Sequence, residues 1–319
     1  MRIARVEIDG AARAAIVSAD ASSAALLAPA VSVADLLSAD PDQREKMASG
    51  TVDQIALAEA RLLAPVQPPT VRDFSVFEQH IEGVRMGQTD EPVPAVWYES
   101  LFCYFSNPHA VNGPGAEIAV PPGCVDLDFE LEVAAVIGRP GSNLRPDDAA
   151  AHIAGYTIFN DWSARDLQLA EMRLGLGICK GKDFANTLGP WIVTADELEG
   201  RREGDRLDLD MRATVNGREI GDDTLANMAW SFEELVSYAS RGTTVRTGDV
   251  LGSGTCGGGC LLEMWGRHGR EDYPPLGPGD TVALTVEGIG TLSNTVVAGP
   301  DPIALPPARP GRLRSRATA

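Results

Sequence analysis

The chain has 319 residues, a formal net charge of −18 at pH 7 and 44% hydrophobic residues. That length fits one large domain or a small one beside a larger one, and the apolar share is ample for a core. The acidic balance argues against nucleic acid or an anionic membrane surface as a partner, so an anionic ligand must be drawn in by local positive charge.

The N-terminal MRIARVEIDG has no long apolar stretch of the secretory kind, and no apolar run approaches a membrane span. A cytoplasmic location is expected. Residues 1–66 read as a small α+β module. RIARVEI and AAIVSA form two short strands about a turn at Asp9-Gly10. VSVADLLS and PDQREKMAS form short helices, the second opened by Asp40-Pro41, and ARLLAPV forms a further strand. Pro68-Pro69 then punctuates the chain, and a second domain is expected over 67–302.

RDFSVFEQHIEGV reads as a helix capped by Asp73, with Phe74, Phe77 and Ile81 on one apolar face. Asp73 and His80 are seven residues apart and share a face of that helix. VDLDFELEVAAVIG is the clearest strand. Asp128, Glu130 and Glu132 alternate with Phe129, Leu131 and Val133, whereas on a helix Glu130 and Glu132 would diverge by about 200°. The acidic face runs on into Ala134, Val136 and Gly138, which are not solvent-loving, so it is expected to look into a cavity. HIAGYTIFND is another strand, ending at Asp161. A helix capped by Ser163, with Asp166 three residues on, should follow and carry Arg165, Gln168 and Met172 on one face.

The Gly-rich LGLGICKGKDFANTLGP leads into a strand, PWIVTA. Lysine occurs only at Lys46, Lys180 and Lys182 against 24 arginines, so the KGK stands out as a place for a compact, rotatable charge. From about residue 205 the chain reads mostly as strands, with an Asn216-Gly217 hairpin signal and one short helix, FEELVSYASRG. DVLGSGTCGGGCLLEMWG and DTVALTVEGIGTLSNTVV read as strands with glycine punctuation. SGTCGGGC lacks the Lys-Ser/Thr ending of a phosphate-binding loop and is expected to be a turn or a mobile lid. The five cysteines, Cys103, Cys124, Cys179, Cys256 and Cys260, include no CxxC pair and complete no zinc site, so reduced, structural thiols are expected. The Pro/Arg-rich stretch 303–319 is expected to be disordered.

Asp73, His80, Glu130, Glu132 and Asp161 form the informative constellation. Converging carboxylates repel one another unless a cation sits between them. Oxygen donors without a thiolate suit a hard ion such as Mg²⁺, Mn²⁺ or Ca²⁺, and a histidine beside them points to acid–base chemistry. His109, His152 and His268 lie outside this pattern and read as surface residues.

The segments DLDFELEVAAVIG, GYTIFNDWSARDLQ, KGKDFANTLGPWIV, LGSGT and LLEMWG, in this order over roughly residues 70–300, resemble the fumarylacetoacetate hydrolase superfamily. The resemblance implies a β-rich α+β fold, a mixed β-sandwich roll, usually assembled as a homodimer. It implies a divalent metal, Mg²⁺ before Mn²⁺ or Ca²⁺, held by Glu130, Glu132 and Asp161 with Asp73 as an additional ligand. His80 matches the family's general base and Glu263 the acid that orients it. Lys182, Arg165 and Gln168 match polar groups around the substrate oxygens, and Thr255 a contact to the substrate carboxylate. Tyr104 and Met172 join the substrate-binding set. Fumarylacetoacetase itself has tyrosines where this chain has Ser75 and Met172. The reading is a metal-dependent hydrolase cleaving a carbon–carbon bond in a small anionic keto acid, such as an acylpyruvate or 1,3-diketo acid, through water activated by His80. Two alternatives remain open: a decarboxylase or tautomerase/isomerase of a 2-oxo acid at the same metal site, and a non-catalytic, metal-stabilised binding module.

Overall fold

A computed structural model describes residues 1–86, 89, 91–175, 177–309 and 311. Two mixed sheets with helices around them make up a β-rich α+β fold. The larger sheet runs, edge to edge, through Thr51–Ala56, Ser23–Leu27, Ala11–Val17, Arg2–Ile8, Asn186–Thr194, Ile153–Asp161, Leu131–Ile137, Val250–Gly252, Val71–Phe74 and Cys103–Ser106. The smaller sheet runs through Arg218–Thr224, Asp210–Val215, Thr281–Val286, Gly290–Val297 and Glu117–Ala119. Asp9-Gly10 and Asn216-Gly217 both have positive φ, at 50° and 78° and at 53° and 78°, which is the backbone that a tight hairpin demands. Residues 1–66 contribute five strands to the larger sheet, Arg61–Leu63 pairing with Arg2–Ile8 off the main path, and Arg2 and Ile3 pair with Val193 and Ile192.

Period two explains the central strands. Val133 and Ala135 face the core shared with Met211, Leu284 and Val296 of the smaller sheet. Ala134 and Val136 face a second core that includes Leu36 and Leu37 of the helix Val33–Ser38. With both faces covered, all residues of Leu131–Ile137, Ile153–Asp161 and Asn186–Thr194 are buried. Glu132 shares the face of Ala134 and Val136, so the acidic face does point inward.

Five local expectations need correction. Asp73 caps no helix. It lies in the buried strand Val71–Phe74, and the helix Glu78–Arg85 starts later, with Phe77 at its N-cap. Pairing with strands on both sides satisfies that backbone and overrides the local capping signal. The strand through Asp128 is interrupted: Leu127–Asp128 pairs with Ser163–Ala164, and the long strand resumes at Leu131. That pairing also removes Ser163 as a cap. Its hydroxyl donates to Asp161 O, and the helix Arg165–Met172 starts from Ala164. LLEMWG is helical, within Leu261–His268. The glycine-rich segment before it is mostly buried, an internal turn rather than a surface lid, because its backbone hydrogen-bonds to side chains of the site.

All five cysteines are free, with Cys256 and Cys260 buried. No helix among the described residues is long and apolar enough to cross a membrane. Of the 303–319 tail, residues 303–309 are exposed without helix or strand, and positions 310 and 312–319 lie outside the described residues.

Candidate active site

Sheet register brings the acidic residues together. Asp73 pairs with Gly252 in the parallel neighbour Val250–Gly252. Gly252 pairs in turn with Ala134 of Leu131–Ile137, and Leu131 pairs with Asn160 of Ile153–Asp161. Asp73, Glu132 and Asp161 therefore sit within four consecutive strands, with Val250–Gly252 between the first two and Glu130 just ahead of its strand. Each of these four buried residues offers a ligand atom within 4.8 Å of the others. Gly252 makes this approach possible, because a Cβ there would collide with Asp73 Oδ1 and Glu132 Oε2. Gly254, with φ +79°, donates its N–H to Asp73 Oδ1 at 3.2 Å and Glu132 Oε2 at 3.1 Å. A side chain at 254 would strike the backbone of Phe74.

The electrostatics are those of a charged cluster taken out of water. Burial, reinforced by Glu130 and Asp73, pushes Asp161 up to about 8 despite the pull of Lys182. Burial raises Asp73 to about 6, and burial with the neighbouring Asp73 raises Glu132 well above the carboxylate range. Burial pushes Glu130 upward too, but the Lys182 ammonium and Arg165 guanidinium outweigh it and hold Glu130 well below its ordinary value. Lys182 is buried against Glu130 and Asp161, and Tyr104 donates its hydroxyl to Asp161 Oδ2. Only Arg165 and Lys182 stand against Asp73, Asp128, Glu130, Glu132 and Asp161, too little positive charge to keep all five carboxylates ionised. Glu132 Oε1 and Asp161 Oδ1 are buried with no hydrogen-bond partner. Two orphaned hard oxygens in a charge-deficient cluster fit a divalent cation coordinated by oxygen.

His80 is buried at the side of this cluster. Its Nδ1 lies 2.7 Å from Glu263 Oε1. Glu263 Oε2 accepts from the Gly258 N–H at 2.9 Å and is 3.5 Å from Arg267 Nη2. A carboxylate only accepts, so Nδ1 carries the proton and Nε2 is left as the basic nitrogen. Arg165 Nε donates to Asp128 Oδ2 at 2.8 Å, and its Nη2 lies 2.7 Å from Glu130 Oε1. Gln168 Oε1 accepts from Arg165 Nη1 at 3.1 Å.

A cavity of about 380 Å³ unites most of the residues singled out from the sequence. Asp73, His80, Tyr104 and Glu130 line it, as do Arg165, Gln168, Met172, Lys182 and Thr255. Glu132, Asp161 and Glu263 stand just behind this wall and touch it through the contacts above. His109 is exposed, His152 holds Arg139 O at 3.0 Å and His268 stacks near Tyr273, all away from the cavity lining. Sequence reasoning missed the role of Asp128. Its carboxylate accepts the N–H groups of Leu261 at 2.8 Å and Leu262 at 3.0 Å, so it caps from afar the helix that carries Glu263 while holding Arg165. The acidic alternation contained that residue, but a cap supplied from 133 positions away leaves no local trace. Phe102, Leu169 and Ile178, also in the lining, carried no sequence signal at all.

Comparison with known proteins agrees with this geometry. The family model for the fumarylacetoacetate (FAA) hydrolase C-terminal domain matches residues 70–297. The oxaloacetate tautomerase YisK of Bacillus subtilis is 31% identical over 245 residues, 76% of this chain and 74% of that protein. The human mitochondrial oxaloacetate tautomerase FAHD2A is 31% identical over 244 residues, 75% of this chain and 70% of that protein. Among solved structures, 5-carboxymethyl-2-hydroxymuconate delta-isomerase from Mycobacterium smegmatis superposes with a TM-score of 0.69 at 28% identity, covering 93% of this chain and 100% of that one. A fumarylacetoacetate hydrolase from Exiguobacterium antarcticum gives 0.72 at 28% identity, covering 93% and 99%. The fold, the carboxylate cluster and these matches together place the chain in the fumarylacetoacetate hydrolase family.

Proposed function

We propose that the protein is a divalent-cation-dependent enzyme that interconverts the keto and enol forms of a 2-oxo acid. His80, held by Glu263, shares a single cavity with the carboxylate cluster, which supports proton transfer beside a bound cation; the names of the relatives carry the choice of reaction. Two relatives that match three quarters of the chain at 31% identity are named oxaloacetate tautomerases, which favours proton transfer at carbon over carbon–carbon cleavage.

Asp73, Glu130, Glu132 and Asp161 would hold the ion, with Mg²⁺ first and Mn²⁺ or Ca²⁺ as alternatives. Once bound, it supplies positive charge that lowers the energy of an enolate. The remaining work falls to the side chains. Thr255 and Lys182 hold substrate oxygens, and Arg165 sets the angle of the Gln168 amide. His80 Nε2 takes the proton from C3. The C–H electron pair becomes the C2–C3 double bond, and the carbonyl π pair moves to oxygen, which then receives the proton. Glu263 compensates the charge that appears on the imidazole ring.

Carbon–carbon hydrolysis is the second reading, favoured by the same dyad, since Nε2 accepts a proton from water as readily as from carbon. The test follows loss of enol absorbance, deuterium exchange at C3 and cleavage products together, on oxaloacetate and acetylpyruvate, with Mg²⁺ and then EDTA. Enol–keto conversion outpacing cleavage, abolished by EDTA and reduced about 10²–10⁴-fold in His80→Ala, is expected. Cleavage of acetylpyruvate to acetate and pyruvate as fast as exchange makes the enzyme a hydrolase, and release of CO2 from oxaloacetate makes it a decarboxylase. Neither process on either compound removes the catalytic reading.

A further inference from the structure

We infer that the end of the substrate remote from the 2-oxo acid group is apolar and uncharged, so that this chain prefers monocarboxylates with an alkyl or aryl tail to dicarboxylates such as oxaloacetate. The inference rests on the reading of the cavity as a 2-oxo-acid site.

The wall of the cavity changes character along one helix. Arg165 and Gln168, in the first turn of Arg165–Met172, are buried and polar, whereas Leu169 and Met172, a turn further on, are apolar. Val84, Phe102, Ile178 and Leu262 continue that apolar wall from four other segments. Leu169, Phe102 and Met172 are 37%, 50% and 53% exposed, an unusual grouping of large apolar side chains on so acidic a molecule.

The charges agree with this division. Among the lining residues only Arg165 and Lys182 are permanently cationic, and both sit at the carboxylate-cluster end of the cavity: Arg165 against Asp128 and Glu130, Lys182 against Glu130 and Asp161. Arg85, Arg173 and Lys180 are near the lining residues in sequence but do not line the cavity, and Arg85 and Lys180 are paired with Glu91 and Asp183. One carboxylate at the 2-oxo end meets the cation site. A second, at the far end, would meet carbon with no partner.

The test is binding to the Mg²⁺-loaded protein, by calorimetry, of 2-oxobutanoate, 2-oxopentanoate and 2-oxohexanoate, with 2-oxoglutarate as the dicarboxylate. Affinity should rise about fourfold per added methylene, and 2-oxoglutarate should bind at least ~10-fold more weakly than 2-oxohexanoate. Leu169→Arg, at a partly exposed position, should reverse that last order, and Met172→Arg provides a second, independent case. A series flat in chain length, or 2-oxoglutarate as the tightest ligand, overturns the inference and leaves the proposed function standing. Mg²⁺ binding with no affinity for any 2-oxo acid overturns both.

Discussion

Glu263 is fully buried and uses both of its oxygens, Oε1 on His80 and Oε2 on the Gly258 N–H and Arg267. It reaches the imidazole but does not line the cavity, so in the proposed mechanism it acts through His80, as a positioning residue. Replacing it by glutamine preserves shape and removes the charge that balances a protonated ring. Glu263→Gln should lower kcat by about 10²–10⁴-fold while leaving KM and Mg²⁺ affinity nearly unchanged. Steady-state kinetics with a metal titration checks this, and a loss expressed mainly in KM would assign Glu263 to substrate binding instead. Asp128 works at a further remove, joining Arg165 to the start of the helix that presents Glu263. The resemblance already implies that Glu263 orients His80, and the contact fits it, whereas the task of Asp128 becomes visible only through partners distant in sequence.

At the scale of elements, the legible parts were those whose pattern is local. Alternation located Leu131–Ile137 and the inward acidic face, and Asn216-Gly217 located a hairpin. The strand Val71–Phe74 was misread as helix, since four buried residues are too few to declare a period. Its identity is set by Val250–Gly252, almost 180 positions later. That partner strand also hides the site's tightest constraint. Gly252 reads as mere punctuation, but its missing side chain is the space into which Asp73 and Glu132 lean. Gly252→Ala should therefore weaken Mg²⁺ binding by ~10-fold or more and cost about 1–3 kcal/mol of stability through overpacking. Calorimetric titration and chemical denaturation measure the two effects, and unchanged metal affinity would show that the carboxylates do not depend on that gap.

For the whole molecule, the cluster makes stability depend on pH and on metal together. Asp161 at about 8 and Asp73 at about 6 are both raised by burial above their ordinary value of 3.8. In the metal-free protein the folded state therefore binds more protons than the unfolded chain. The contribution of these groups is fully present below about pH 4 and is lost as pH rises through 6 and 8. A bound divalent cation favours the ionised carboxylates and cancels that loss. The gap in denaturation midpoint between metal-saturated and EDTA-treated protein should widen from pH 5.5 to pH 8. Metal uptake near pH 7 should release protons, seen as a dependence of binding heat on buffer ionisation enthalpy. A gap independent of pH would mean that these carboxyls do not hold the ion.

Val250–Gly252 has one more consequence. It is three residues long and contributes no acidic group, yet it is the strand that joins Val71–Phe74 to Leu131–Ile137. A cation held by Asp73 and Glu132 would tie together the two strands that flank that narrow seam. The proposed reaction centre would then also be a fastener, and a chelator that silences it would let the sheet part first along that three-residue strand.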